Sequence, residues 1–177
     1  MVFMQHVGLL AVFIYWITVG SILYKFGIDT TKTVSDHVAT GPQRKIYTPL
    51  ALTYFALMNV HLFAWLLPHY DAQFYQYALL AFGMFFLLFT FLIPRHGANI
   101  NKHDVYASLV GLSLLGLVSS LIFERVSGLL ELLYTTLLCV LLLVGSSLMK
   151  RDRRGYLQTQ VFFFAMLNIL ILSLTYL

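Results

Sequence analysis

Three imidazoles and two carboxylates fall in two short polar stretches between apolar runs. Ser35-Asp36-His37 precedes Gly41-Pro42-Gln43-Arg44-Lys45, and Pro94-Arg95-His96-Gly97 precedes His103-Asp104. Imidazole and carboxylate together bind zinc or carry out acid–base chemistry. Arg44, Lys45 and Arg95 can hold a phosphate beside them. His37, His96, His103, Asp36 and Asp104 are therefore the catalytic candidates, for hydrolysis of a lipid headgroup. No two of these ligands are fixed by one helical turn, so the spacing selects no metal. The same residues have plainer uses. Asp104 suits the positive N-terminus of a following helix. Ser35 and Asp36 suit the cap of a short helix in the connection. The basic residues suit lipid phosphates and chain orientation.

A second polar set lies inside the apolar runs. His61 follows Tyr47 by fourteen residues, which at ~1.5 Å per helical residue sets it roughly 21 Å along its span. Tyr54, Met58 and Trp65 share its helical face. Asn59 and Asn168 fall near mid-span, placed for interhelical contacts or for a small polar cavity. Tyr54, Asn59, His61, Trp65 and Asn168 are the expected lining of any ligand site. His6, in the first turn of the first span, and His61 offer a pair of imidazoles to haem or metal. The alternative is a hydrogen bond from His61 to a neighbouring helix, with His6 at the headgroups. No His-x-x-x-His pair supports ligation, so no metal ligands are assigned and no cofactor is specified. Glu131 either reaches the interface or pairs with Arg125. No Asp, Lys or Arg lies deep in a span, and intramembrane charge is the usual mark of proton relays, voltage sensors and ion-coupled carriers.

The elements that must position these groups follow from composition. Of 177 residues, 60% are hydrophobic and 10% charged, whereas soluble domains hold about 25% charged residues. Spans are expected at Phe3–Phe26, Tyr47–Leu67, Phe74–Ile93, Val105–Phe123, Leu129–Met149 and Gln158–Leu177, each near the ~20 apolar residues a bilayer requires. Lipid offers no partner to an open backbone, so the spans must be helices. The expected fold is all-α, a single polytopic domain over 1–177 built as a six-transmembrane-helix bundle. Pro49 belongs to the first turn of the second span, and Pro68 and Pro94 close the second and third. Ala107-x-x-x-Gly111 and Gly116-x-x-x-Ser120 make the fourth span the expected central, closely packed helix. The one cysteine, Cys139, excludes an internal disulfide.

Lys25, Lys32, Arg44, Lys45, Arg95, Lys102, Lys150, Arg151, Arg153 and Arg154 lie in the first, third and fifth connections, and only Arg125 lies in an even-numbered one. The positive-inside rule places those three connections in the cytoplasm and both termini outside. Arg44, Lys45, Arg95, Lys150, Arg151, Arg153 and Arg154 then meet anionic headgroups, which makes membrane lipids the expected partners and nucleic acid an unneeded one. A homo- or hetero-oligomer stays open. In a prokaryote the expected location is the cell (inner) membrane.

With Ser35 before the second span, Pro94 ending the third and His103 beginning the fourth, the chain resembles prokaryotic six-span membrane proteins of domain-of-unknown-function family 998. More distantly it resembles the eukaryotic DRAM/FRAG-like six-span proteins. The resemblance covers the span plan over most of the chain. It implies a membrane protein concerned with lipids and supplies no catalytic residue to transfer. Membrane hydrolases of the ceramidase and progestin-receptor type have seven spans and a His-x-x-x-His pair on a late one; here the last two spans contain no histidine. The leading expectation is a non-catalytic protein that binds lipid or a small apolar molecule, or serves as a partner subunit. The alternatives are a metal-dependent lipid hydrolase at the cytoplasmic face, a haem-binding redox protein and a small-solute transporter.

Overall fold

The computed structural model describes residues 2–39, 41–149 and 155–177. Among them the chain is helical, without strands. Helix α1 is Val2–Phe26, α2 is the short Val34–His37, and α3 is the rod Pro42–His69. Next come α4 (Phe74–Leu92), α5 (Ile100–Arg125, entered through a 3₁₀ turn at Gly97–Asn99), α6 (Leu129–Met149) and α7 (Tyr156–Thr175). All but α2 are long and apolar enough to cross a bilayer. The fold is an all-α bundle of six such helices, the composition and architecture of a multi-pass membrane protein.

Each long helix packs on the next in sequence, except that α3 follows α1. Contact between α7 and α1 closes the ring, and α5 also touches α7. Small residues set the tightest approaches, as lipid-embedded packing requires. A Cβ on Gly83 of α4 would lie 3.2 Å from the Ser113 Cβ of α5, and one on Gly116 would lie 3.7 Å from Leu79.

Helix limits differ from the hydropathy limits where local chemistry overrides hydrophobicity. Gly41, at φ +78°, precedes Pro42 in the first turn of α3. The fixed φ of proline suits that position, so the helix begins well before Tyr47. Pro49 consequently lies in the helix interior rather than its first turn. Similarly, α5 starts at Ile100, and Asp104 falls in its second turn instead of at its N-terminus.

Near its far end α3 opens into a π turn over Leu62–Leu66, with the Leu67 amide bonded to the Leu62 carbonyl. Pro68 follows at once. Its ring would crowd the Ala64 carbonyl and it has no N–H to give. The wide turn accommodates both faults, so Pro68 does not close the span; the helix runs on to His69.

The chain termini and the even-numbered connections occupy one end of the bundle, called here the terminal end, and the basic connections occupy the other. The terminal end is densely packed: Leu66, Leu67, Leu121, Ile122, Leu170 and Leu174 are fully buried. Two buried polar side chains are clamped among them. Gln76 Oε1 accepts from the Gln73 amide at 2.7 Å, and its Nε2 donates to Ser120 Oγ at 3.0 Å, tying α4 to α5. His61 has Nδ1 3.1 Å from the Met4 carbonyl and Nε2 2.9 Å from Thr175 Oγ1, joining α3 to α1 and α7. Its ring lies flat against α1 at Gly8, where a Cβ would approach within 2.6 Å.

Gly8→Ala is therefore expected to destabilise the bundle by about 1–3 kcal/mol, the usual cost of overpacking, in melts of detergent-solubilised protein. Gly20→Ala on the same helix, where a Cβ meets open space, is the matched control and is expected to be neutral or stabilising. Equal losses at both positions would refute the seating of His61 on Gly8.

Candidate functional site

At the basic end the first connection folds back onto the bundle. Asp29 accepts from the Thr31 hydroxyl at 2.6 Å and the Thr31 amide at 3.0 Å, and pairs with Lys32 at 3.0 Å. Hydrogen bonds from Thr31 and Lys32 hold its carboxyl well below the usual carboxylate range. Thr33, not Ser35, caps α2, in a capping box with Asp36. Asp36 Oδ2 accepts from the Thr33 amide and hydroxyl, each at 2.9 Å. The Val34 amide donates to Gln160 Oε1 at 2.8 Å, which anchors the connection to α7.

Arg95 draws this connection to α5. Its Nε and Nη2 form a fork on the Asp104 carboxylate at 2.6 and 3.1 Å, and its Nη1 donates to Asp36 Oδ1. Burial alone would lower the guanidinium pKa, but the bonds to Asp104 and Asp36 outweigh it and raise it above the ordinary value. Arg95 thus faces inward on two carboxylates instead of outward on headgroups.

The catalytic candidates are distributed accordingly. Asp36 and Asp104 are brought together, with Arg95 between them. His37 Nε2 accepts from the Asp29 amide at 3.1 Å, which leaves the proton on Nδ1, donated to the Thr33 carbonyl at 2.7 Å. Both ring nitrogens are engaged. His103 is buried, with Nδ1 2.7 Å from the Ile93 carbonyl. His96 is exposed on the loop after α4. Among the described residues no three His, Cys, Asp or Glu side chains are grouped to hold a metal. Arg44 and Lys45 are exposed in the first turn of α3, as headgroup contact requires. Lys150, Arg151, Arg153 and Arg154 lie outside the described residues.

Above the Arg95 clasp is a partly open cavity of about 760 Å³, lined mainly by α3, α4, α5, α6 and α7, with Tyr15 of α1 and Val34 of α2. It runs from Arg95, Asp104 and Gln160 at the basic end to Leu62, Leu80 and Ile171 deeper in the bundle. Its walls are mainly apolar and aromatic. Tyr54, Asn59 and Asn168 line it; His61 and Trp65 do not. His61 is buried on the far side of its helix. Trp65 lies within the π turn, whose extra residue rotates it away from the Tyr54 face, and it stacks on His69 at 5.5 Å.

Among the polar side chains of the wall, Asn59 Nδ2 donates to the Phe55 carbonyl at 2.7 Å. Asn168 differs: its Oδ1 accepts from the Tyr54 hydroxyl at 3.0 Å, while its buried Nδ2 has no partner.

The two imidazoles proposed for haem do not share a space. His6 bonds the Tyr176 hydroxyl at 3.1 Å at the surface, and both nitrogens of His61 have protein partners. Arg125 donates to the Asp71 carbonyl at 3.0 Å and forms no pair with Glu131. Phe163 is a buried wall residue. It lies against Gly145 of α6, where a Cβ would be 3.3 Å away, and against Gly111 of α5 at 4.0 Å. Those two small residues were its only trace in the sequence. Tyr15 and Tyr47 also line the cavity; nothing in their spacing set them apart from interfacial tyrosines. Compared with protein-family models, curated proteins and solved structures, the chain matches none.

Replacing Arg95 with Met leaves two carboxylates facing each other at a mostly buried site. The expected loss is about 2–4 kcal/mol, between the values for exposed and fully buried pairs. Arg95→Lys is expected to recover little of it, because an ammonium cannot reproduce the fork. Chemical denaturation of the two variants decides; full rescue by Lys would show that charge alone matters.

Proposed function

We propose that this protein binds a small apolar or amphiphilic molecule taken from the bilayer, without transforming it. In this reading the basic connections face the cytoplasm and both termini face outward, so the polar mouth of the cavity lies at the cytoplasmic side and its floor reaches past mid-bilayer to Leu62 and Leu80. The observation that carries the proposal is the cavity itself. Ligand pockets fall between about 300 and 1,000 Å³ and are mostly apolar with a few placed polar groups. This one has that size and that lining, while at the terminal end Leu66, Leu67, Leu121 and Leu174 are fully buried.

The supply of ligand is lateral. Leu112 of α5 and Leu142 of α6 line the cavity and remain 54% and 53% exposed. A molecule dissolved in lipid tails reaches the wall there without crossing water. Arg44 and Lys45, exposed at the same end, fit contact with anionic headgroups. The Arg95 clasp ties the first connection across the polar mouth and holds that side of the cavity in shape.

Photo-crosslinking in native membranes tests the assignment. A benzophenone side chain at Ala107, on the cavity wall, is expected to capture a discrete co-purifying small molecule. The same group at Leu133, exposed on the outer surface of α6, is expected to capture bulk phospholipid. Ser108→Phe, which fills the cavity from α5, is expected to reduce capture at Ala107 about tenfold while leaving thermal stability unchanged or raised. Identical adduct patterns at the two positions would exclude a preferred ligand.

A further inference from the structure

We infer that the molecule held in this cavity is an uncharged, oxygen-bearing lipid whose carbonyl oxygen is met by Asn168. The inference rests on the cavity being a binding site and adds the chemistry of its occupant. Three other polar side chains on the wall turn back to their own helices. Thr90 donates to the Phe86 carbonyl at 3.0 Å, Ser108 to the Asp104 carbonyl at 2.7 Å and Asn59 to the Phe55 carbonyl at 2.7 Å. Such bonds satisfy the hydroxyl or amide and leave nothing for a ligand.

Asn168 does not follow them. It is only 3% exposed, its Oδ1 is taken by the Tyr54 hydroxyl, and its Nδ2 faces no protein acceptor. Turning the amide over does not remove the fault. Nδ2 would then donate to the Tyr54 oxygen, and both Oδ1 and the Tyr54 proton would lose their partners. The present orientation is the better one, and it leaves a buried donor without a partner on a residue that lines the cavity. A buried donor without an acceptor is costly in an apolar surround, and water is scarce at this depth. The group that completes it is an oxygen on the ligand.

Two further donors lie on the same wall. The hydroxyls of Tyr15 and Tyr47 make no hydrogen bond to another described residue, and the Tyr15 ring lies 4.6 Å from that of Tyr54. The polar part of the wall is therefore rich in donors, which suits an acceptor oxygen.

Charge argues for a neutral ligand. The charged groups of the lining are Arg95, Asp36 through its bond to Arg95, and Asp104, and they are bonded to one another at the mouth. His103 directs its Nδ1 at the Ile93 carbonyl. Lys102 is exposed on the outside of α5, and Lys32 is paired with Asp29. Among the described residues of the lining, a carboxylate or phosphate finds no free cation, and the clasp carries one excess negative charge. An ammonium meets carboxylates already engaged by Arg95.

The probes are a long-chain methyl ketone, the alkane of equal length and the corresponding fatty acid, bound to the full chain in lipid nanodiscs. The ketone is expected to bind about tenfold more tightly than the alkane, the worth of one buried hydrogen bond. The fatty acid at neutral pH is expected to bind no better than the alkane. Asn168→Leu is expected to abolish the ketone preference and keep alkane binding. A measurement on the unaltered protein stands beside the variant: the infrared carbonyl band of the bound ketone is expected at lower wavenumber than in hydrocarbon solution. Equal ketone and alkane affinities, an unshifted carbonyl band, or a preference that survives Asn168→Leu overturns the inference and leaves the cavity as a site. Failure of all three probes to bind overturns the binding reading as well.

Discussion

A polar group that enters lipid has to find its partner inside the protein, because the surrounding tails offer none. This constraint governs where the bundle is tight and where it is open. At the terminal end His61 and Gln76 meet it by geometry of high specificity, while the buried Trp65 Nε1 has no partner among the described residues. The His61 ring needs Met4 and Thr175 on two other helices and a glycine on α1 to lie against. Gln76 needs the start of its own helix and Ser120 across from it. Each such group fixes helix rotation and depth at once, and the leucine and isoleucine side chains around it then close without gaps. The polar residues there are few, but they set the register in which the apolar ones pack.

At the basic end the same constraint is met without closing the interior. Arg95 satisfies Asp36 and Asp104 at the rim, and the Val34–Gln160 bond fastens the first connection to α7. These contacts run around the mouth rather than through the middle. Helices clasped at their ends can stay apart between them. The cavity is the volume left over, and Phe163 of α7, on its wall, lies against Gly111 and Gly145. An ion pair here serves shape more than stability, since a partly buried pair gains little over apolar packing.

The helices were legible in the sequence because hydropathy is a property of each residue alone, summed along a span. Other features were not, and they depend on a second residue elsewhere. Pro42 extended α3 only because Gly41 takes a positive φ before it. Trp65 left the Tyr54 face because Pro68, three residues on, forces a wide turn. Asp104 was read as a helix N-terminal charge, whereas its partner is Arg95, nine residues earlier across the connection. The hydrogen bonds of His61 to neighbouring helices are among the contacts read from the sequence, yet His61 was also assigned to the cavity because nothing in its own neighbourhood reveals Gly8. The convergence of His37, His96 and His103, an attractive expectation from composition, does not occur among the described residues: two imidazoles are held by backbone groups and the third is at the surface. Tyr54 and Asn168 were recognised as lining, but their mutual bond and the donor it leaves over are facts of three dimensions.

The unpartnered donor and the unfilled volume have one physical origin. A hollow among helices in lipid forfeits dispersion contacts on every wall atom, and a free amide within it forfeits a hydrogen bond as well. Selection for stability alone would replace Asn168 with leucine and fill the gap from α5 or α7, as the terminal half of the same chain demonstrates. A bundle able to bury leucines fully at its terminal end has no need of a hollow toward its basic end for folding. The hollow and the unpartnered Asn168 amide lie at one place, and a ligand that is apolar in body and carries one acceptor oxygen repairs both. That coincidence, rather than either defect alone, is why occupancy explains the cavity better than imperfect packing does.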